Sequence, residues 1–179
     1  MNKRKISNEE IQFTAWCREA KTAGLIESFA CQPKTYGLIG KQTRVETVKL
    51  KTKTKEKMRH VFRDHKYTAD FKICLTDKGR GVLGMLFPES LLYVDSRELV
   101  IDTKGGYTVQ HGQSQMFSCN RKLMYLIYGI YVEKVVPCEL FKKTWCPESC
   151  RWMRGRKLPT LNKLGAACRT VGEFLEVTK

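Results

Sequence analysis

Apolar residues recur at helical spacing near the start of the chain, in the stretch ISNEEIQFTAWCREAKTAG. Phe13, Trp16 and Ala20 would lie on one face of such a helix. Ser7, followed three positions later by Glu10, forms a capping-box pattern that marks a helix start. We therefore predict an amphipathic first helix that ends at the glycine closing this stretch.

The rest of the chain alternates between strand-like and helix-like patterns. LIESFACQPKTYGLI predicts two strands with a break near Pro33, and HKYTADFKICLT predicts one further strand. DKGRGVLG predicts a glycine-rich turn, which is followed by the apolar segments SLLYVDS and ELVIDTKGG. MFSCNRKLMYLIYG predicts a helix ending at Gly129, IYVEKVVP a short strand, and CELFKKTW a short helix before an amphipathic tail. This order predicts a mixed α/β fold.

The segment VKLKTKTKEK alternates in pattern and is strongly basic. Alternation of this kind is typical of an exposed strand or ribbon. A solvated, mobile arm would carry the same residues, and a wet charged surface accounts for them equally well.

Composition adds a candidate partner. The chain has 179 residues, with 33 Lys or Arg against 18 Asp or Glu, so its formal charge is +15. This length predicts one domain over residues 1–179, and the pattern of its tail predicts a basic helical extension over about 138–179. The positive charge favours a polyanion, with nucleic acid first; a basic ribosomal or membrane-surface protein is the alternative.

Neither the N-terminus, MNKRKISNEE, nor any apolar run resembles a signal peptide or a membrane span. We therefore expect no membrane association and a cytoplasmic protein whose eight cysteines are mostly free thiols. The cysteines nearest one another are Cys138, Cys146 and Cys150, and no histidine follows them to complete a zinc site.

Candidate chemistry lies in the segment ELVIDTKGG. Residues two apart on a strand project from the same face, so Asp102 and Lys104 would lie side by side. Asp70 ends an earlier strand-like segment, and if the two strands are neighbours, two carboxylates converge beside one lysine. Two oxygen ligands suit Mg²⁺, which keeps waters and phosphate in its other positions. A salt bridge on a half-exposed strand is the structural alternative.

The elements SNEE, TADF and IDTK, in this order, resemble the signature of the PD-(D/E)XK nuclease superfamily. The resemblance spans about residues 7–137 and is closest to small phage-encoded endonucleases and Holliday-junction-resolvase-like members. Ala69 stands where that signature usually has proline, and Asp102 stands where it more often has glutamate.

The resemblance implies a restriction-endonuclease-like core, a mixed central sheet flanked by helices. It implies an Mg²⁺-dependent endodeoxyribonuclease, with Mn²⁺ as a substitute, that acts on DNA, including junction or branched DNA. Asp70 and Asp102 would be the metal ligands and Lys104 the catalytic lysine. A phage origin, a homodimer and a location in the bacterial host cytoplasm also follow. The alternative function is an inactive nuclease-fold protein that binds nucleic acid or a host protein.

The first helix offers two acids for this site. Glu9 shares a helical face with Phe13 and Trp16, which favours Glu9. Glu10 has a structural role in the capping box, but it directly precedes the apolar run and is the rival.

Further residues are candidates for contacting nucleic acid. Gln115 and Lys122 lie on the helix after Lys104, where the family supplies polar groups. CRWMRGRKLP places Trp145 and Trp152 near a cluster of cations that can grip phosphates, namely Arg151, Arg154, Arg156 and Lys157. A basic surface helix with its tryptophans in the core is the equal alternative.

Overall fold

The computed structural model describes residues 6–90, 97–105, 112–151 and 169–178. Its strands are β1 (Ile26–Cys31), β2 (Thr35–Ile39), β3 (Gln42–Lys49), β4 (Thr54–Phe62), β5 (His65–Thr68), β6 (Phe71–Leu75), β7 (Glu98–Thr103) and β8 (Val132–Val135). Its helices are α1 (Asn8–Thr22), α2 (Asp77–Leu83), α3 (Gly112–Tyr128), α4 (Pro137–Lys143), α5 (Glu148–Arg151) and α6 (Val171–Val177), with a 3₁₀ turn at Gly84–Leu86. None of these helices is long and apolar enough to cross a bilayer.

The centre of the fold is a four-stranded mixed sheet in the order β1-β6-β7-β8. β6 pairs antiparallel with β1 and β7, whereas β7 and β8 are parallel. A parallel pair needs a crossover connection, and α3 lies in it. Every residue of β7 except Glu98 is buried, so both faces of this strand are covered. The predicted mixed α/β fold, with helices flanking a mixed sheet, is confirmed.

One face of the sheet packs against an aromatic core built on α1. The ring of Trp16 stacks on Trp145 at 4.8 Å, and Phe13 meets Phe71 edge-on at 4.8 Å. The indole of Trp16 also donates a hydrogen bond of 3.0 Å to Thr144 Oγ1. The described C-terminal residues therefore form part of the main core, which also includes Cys146, Cys150 and Phe174.

The other face packs against α3 and the two-stranded pair β2–β5. This second core cluster includes Tyr36, Tyr67, Val100, Phe117 and Met124. The pair is antiparallel, with Tyr36 opposite Tyr67. Because Val100 and Asp102 are two apart on β7, this cluster lies beside the face that carries Asp102.

A basic hairpin extends from β2–β5. β2 runs into β3 and β4 runs into β5, and β3 pairs with β4 along their whole lengths. Residues 35–68 thus form one long antiparallel hairpin, interrupted near residues 40–41 and 63–64. The VKLKTKTKEK segment is therefore a paired ribbon.

Several local predictions hold, and two are wrong. The first helix has its predicted capping box, and the helix after ELVIDTKGG, the strand IYVEKVVP and the helix CELFKKTW are all present. DKGRGVLG is the helix α2 and not a turn: Thr76 caps it, and a Cβ on Gly79 would lie 1.8 Å from Leu25 O. That glycine therefore allows close packing. HKYTADFKICLT is not one strand but β5 and β6 in separate sheets, and most of SLLYVDS lies outside the described residues.

Candidate active site

Asp70 and Asp102 face each other where β6 begins and β7 nears its end. The register pairs Phe71 with Ile101, and one step further places the two aspartates opposite each other. Both side chains are buried, with exposed fractions of 7% for Asp70 and 4% for Asp102. Their carboxyl groups lie within hydrogen-bonding reach of each other. Two like charges this close and this buried are costly unless a proton or cation lies between them.

Thr103 holds the Asp70 side chain in place. Its backbone N–H and its hydroxyl each donate a hydrogen bond of 2.9 Å to Asp70 Oδ2. Burial acts to raise the pKa of Asp70, but the bond shared with Asp102, the bonds from Thr103 and the charge of Lys104 hold it below its usual value. Asp70 is therefore the ionised member of the pair.

Asp102 is the protonated member at mildly acidic pH. Burial is the largest cause, and the shared bond with Asp70 adds to it, so that the pKa of Asp102 rises to about 6 despite Lys104. Tyr67 donates a hydrogen bond of 2.8 Å to Asp102 Oδ2. Burial and the Asp102 charge raise the pKa of Tyr67 well above its usual range, so the phenol stays a donor.

Lys104 completes the constellation on the same face of β7. Its Nζ pairs with Asp102 Oδ1, and its side chain is 25% exposed. Its backbone N–H donates to Val135 O at 2.9 Å, which continues the pairing with β8. The ammonium lies 5.7 Å from the centre of the Phe117 ring on α3, so an aromatic face supports the cation. The ammonium is thus fixed beside the carboxyl pair while it still reaches solvent.

The two first-helix acids have different surroundings. Glu10 closes the capping box, and its carboxylate accepts the Ser7 N–H at 2.7 Å. Glu9 lies against the residue that follows Lys104, because a Cβ on Gly105 would be 3.0 Å from Glu9 Oε1. The absence of a side chain at Gly105 thus makes room for the Glu9 carboxylate at the rim of the site.

The carboxylates of the site are candidate ligands for a metal ion. Among the described residues, no three His, Cys, Asp or Glu side chains form a ready metal-binding cluster. Asp70 and Asp102 do supply two hard oxygen ligands, and Mg²⁺ is commonly held by one or two carboxylates with water and phosphate. A bound cation would also offset the repulsion between the two carboxylates. The residues therefore fit Mg²⁺ or Mn²⁺.

The predicted nucleic-acid contacts are only partly described. Gln115 and Lys122 are exposed on α3, and Lys122 lines a surface groove with Arg121, Tyr125 and Tyr131. Trp145 is fully buried, so it belongs to the core and cannot stack on bases. Arg151 ends α5, and its side chain lies outside the described part, as do Arg154, Arg156 and Lys157.

Sequence reasoning missed three supports of the site. Tyr67 lies on β5, outside the main sheet, and nothing local ties it to Asp102. Thr103 stands between the predicted residues Asp102 and Lys104, yet its bond to Asp70 needs the β6–β7 pairing. The contact of Gly105 with Glu9 joins parts of the chain almost a hundred residues apart. The local hint in the sequence was Tyr67 itself, which lies three positions before Asp70.

The site thus combines two buried carboxyl groups, one fixed ammonium, a phenol donor and a carboxylate at the rim. These groups come from α1, from β5, from the end of β7 and the residue after it, and from the residue before β6. No protein-family model matches the chain, and neither a curated protein nor a solved structure does.

Proposed function

We propose that the protein is an Mg²⁺-dependent DNA endonuclease built on a restriction-endonuclease-like core. The observation that carries the proposal is the buried Asp70–Asp102 pair with the Lys104 ammonium against it. A single carboxylate would be enough to neutralise the Lys104 ammonium. The second carboxylate makes the pair difficult to ionise without a further cation, as the raised pKa of Asp102 indicates.

Asp70 and Asp102 would hold the metal ion where β6 begins and β7 ends. When bound, the ion would polarise a phosphodiester and offset the negative charge of the carboxylates and the phosphate. Thr103 keeps Asp70 oriented for this role through two hydrogen bonds, and Tyr67 does the same for Asp102.

Lys104 would act on the reacting groups. Its ammonium is partly exposed, so it can orient an attacking water and stabilise the charge that develops on the phosphate. Water attacks phosphorus, the bond from phosphorus to the leaving oxygen breaks, and a proton reaches that oxygen. Glu9, whose carboxylate lies at the rim, would accept the proton that the attacking water loses.

The charge of the chain supports DNA as the substrate. A formal charge of +15 gives a strong, salt-dependent attraction for phosphates. Lys122 and Gln115 are exposed on α3, the helix that carries the Phe117 ring beneath Lys104. The family resemblance further predicts a homodimer, which sedimentation analysis of the purified protein would test.

The test is a nicking assay on supercoiled plasmid and on branched DNA, with Mg²⁺, Mn²⁺ or EDTA. We expect cleavage with either metal and none in EDTA. Asp70→Asn and Asp102→Asn should abolish cleavage. The control Asp77→Asn, which alters an exposed aspartate paired with Arg97, should cleave like the parent.

A second control matches the lysine. Lys72 also lies on a strand of the central sheet and pairs with a carboxylate, that of Glu98 at 2.7 Å, so Lys72→Ala should retain the activity that Lys104→Ala loses. DNA binding without cleavage under any metal condition would instead support the inactive nuclease-fold protein. Metal-independent cleavage that survives Asp102→Asn would refute the proposed site.

A further inference from the structure

The ribbon β3–β4 projects from the body of the protein. Every residue of β4 is exposed, and β3 has only Glu46 and Val48 half-buried. Among the described elements, β3 and β4 pair with each other and no other element packs against them beyond marginal contact. β3 has eight strand residues, which gives the ribbon a reach of about 25 Å.

The two faces of this ribbon differ in charge. Opposite residues of an antiparallel pair share a face, and faces alternate along each strand. The register therefore groups six residues on what we term the basic face: Arg44, Glu46, Val48, Lys55, Lys57 and Arg59. Four cations stand there against one carboxylate, and Glu46 pairs with Arg59 at 2.5 Å.

The opposite face is neutral. It carries the cross-strand pair Val45–Met58, with exposed fractions of 59% and 66%, and the pair Thr43–His60. Its charges, Lys49 and Glu56, cancel. Charges that only kept an open strand edge from aggregating would not need to gather on one face. The segregation therefore indicates a negatively charged partner on the basic side.

We propose that the basic face of the β3–β4 ribbon binds duplex DNA, with the ribbon lying in the major groove. The major groove of B-form DNA admits a two-stranded ribbon, whereas the deep, narrow groove of an RNA helix does not. Lys51 and Lys53, at the turn, would extend the phosphate contacts beyond the strands. Nothing in this binding requires cleavage. Only the position of the duplex beside Asp70 and Asp102 rests on the proposed function.

The position of the ribbon in the chain supports that placement. The same hairpin that carries the basic face continues through β5 to Tyr67 and then to Asp70. A duplex held along the ribbon would therefore be anchored by the polypeptide that forms the site. At 3.4 Å per base pair, the ribbon would span about seven base pairs on one side of the cleaved phosphate.

The experiment measures duplex affinity by fluorescence anisotropy in EDTA, at several salt concentrations. The ribbon variant is Arg44→Gln/Lys55→Gln/Lys57→Gln/Arg59→Gln. The matched control, Arg18→Gln/Lys21→Gln/Lys142→Gln/Lys143→Gln, removes the same positive charge from exposed positions on α1 and α4. A second control, Val45→Thr/Met58→Thr, changes the neutral face. Melting temperatures verify that each variant is folded.

We expect the ribbon variant to lose duplex affinity by about tenfold or more, with a salt slope shallower by about three to four. Both controls should bind within about threefold of the parent's affinity. The control on α1 and α4 leaves the basic face of the ribbon intact, and Val45→Thr/Met58→Thr leaves all charges of the ribbon in place. Equal affinities for the ribbon variant and the charge-matched control would overturn the proposal. An equal proportional loss on duplex RNA would overturn the groove placement.

These outcomes are separable from the nuclease proposal. Ribbon-dependent binding by a protein that cleaves no DNA would leave the ribbon proposal standing and end the nuclease proposal. Metal-dependent cleavage by a ribbon variant that binds DNA like the parent would support the nuclease proposal and end the ribbon proposal.

Discussion

Replacing Asp102 by Asn should stabilise the folded protein at neutral pH. Folding raises the pKa of Asp102 from its ordinary value of 3.8 to about 6. Between these values the folded state holds a proton that the unfolded chain has released, so stability falls as pH rises through this window. Above about pH 6 the loss is complete and amounts to about 3 kcal/mol. Asparagine cannot ionise, so the variant escapes this loss.

Part of the gain is offset by Lys104. Its ammonium loses an ionised partner, but its side chain is 25% exposed and can draw on solvent. The amide of the new asparagine can donate to the ionised Asp70 carboxylate. We therefore expect a net stabilisation of about 1–2 kcal/mol at pH 7.5, or about 2–8 °C in melting temperature.

The assay is thermal unfolding in EDTA from about pH 4.5 to about pH 8, a range that brackets the raised pKa of Asp102. The difference between variant and parent should be small near pH 4.5, grow as pH rises towards about 6, and stay level above that value. Asp77→Asn, on an exposed aspartate, should show no such growth. A variant that is destabilised by the same amount at every pH would refute the charge-pair reasoning.

The remaining predictions address the chemistry and the supports of the site. Lys104→Ala should cut the cleavage rate about a hundredfold or more, a loss of about 3 kcal/mol, while Mg²⁺ still raises the melting temperature. Mg²⁺ affinity, measured by calorimetry, should weaken as pH falls below about 6, because Asp102 then keeps its proton. Gly105→Ala should displace the Glu9 carboxylate and slow cleavage, and adding it to Glu9→Gln should cost little more. Thr144→Val, which leaves a buried indole without its acceptor, should cost about 1–3 kcal/mol of stability in denaturant and leave cleavage unchanged.

The sequence pattern alone predicted those features of the fold that depend on residues close together in the chain. The capping box of Ser7 and Glu10 fixes the start of α1, and the apolar run before Asp102 fixes β7. The period-two rule placed Asp102 and Lys104 on one face, and the structure brings their charged groups together. These features depend on residues within a few positions of one another.

The features that pattern could not supply depend on distant pairing. HKYTADFKICLT shows a continuous strand pattern, yet β5 pairs with β2 and β6 with β1 and β7. The break between them is where Asp70 lies. The helix α2 was obscured by glycines, one of which is required because α2 approaches Leu25 O too closely for a side chain. Tertiary contact overrode helix propensity there.

The cost of the carboxyl pair supports the proposed functional site over a purely structural ion pair. A salt bridge that serves only the fold would need one carboxylate for Lys104, and a neutral residue at position 70 would relieve the raised pKa of Asp102. The fold instead supplies Thr103 to hold Asp70 ionised and Tyr67 to hold Asp102 in place, both from buried positions. It offsets the cost elsewhere, in packing such as that of Trp16 against Trp145. An arrangement that lowers stability and then fixes its geometry supports the proposed cation site, since a bound cation would offset the repulsion between the two carboxylates.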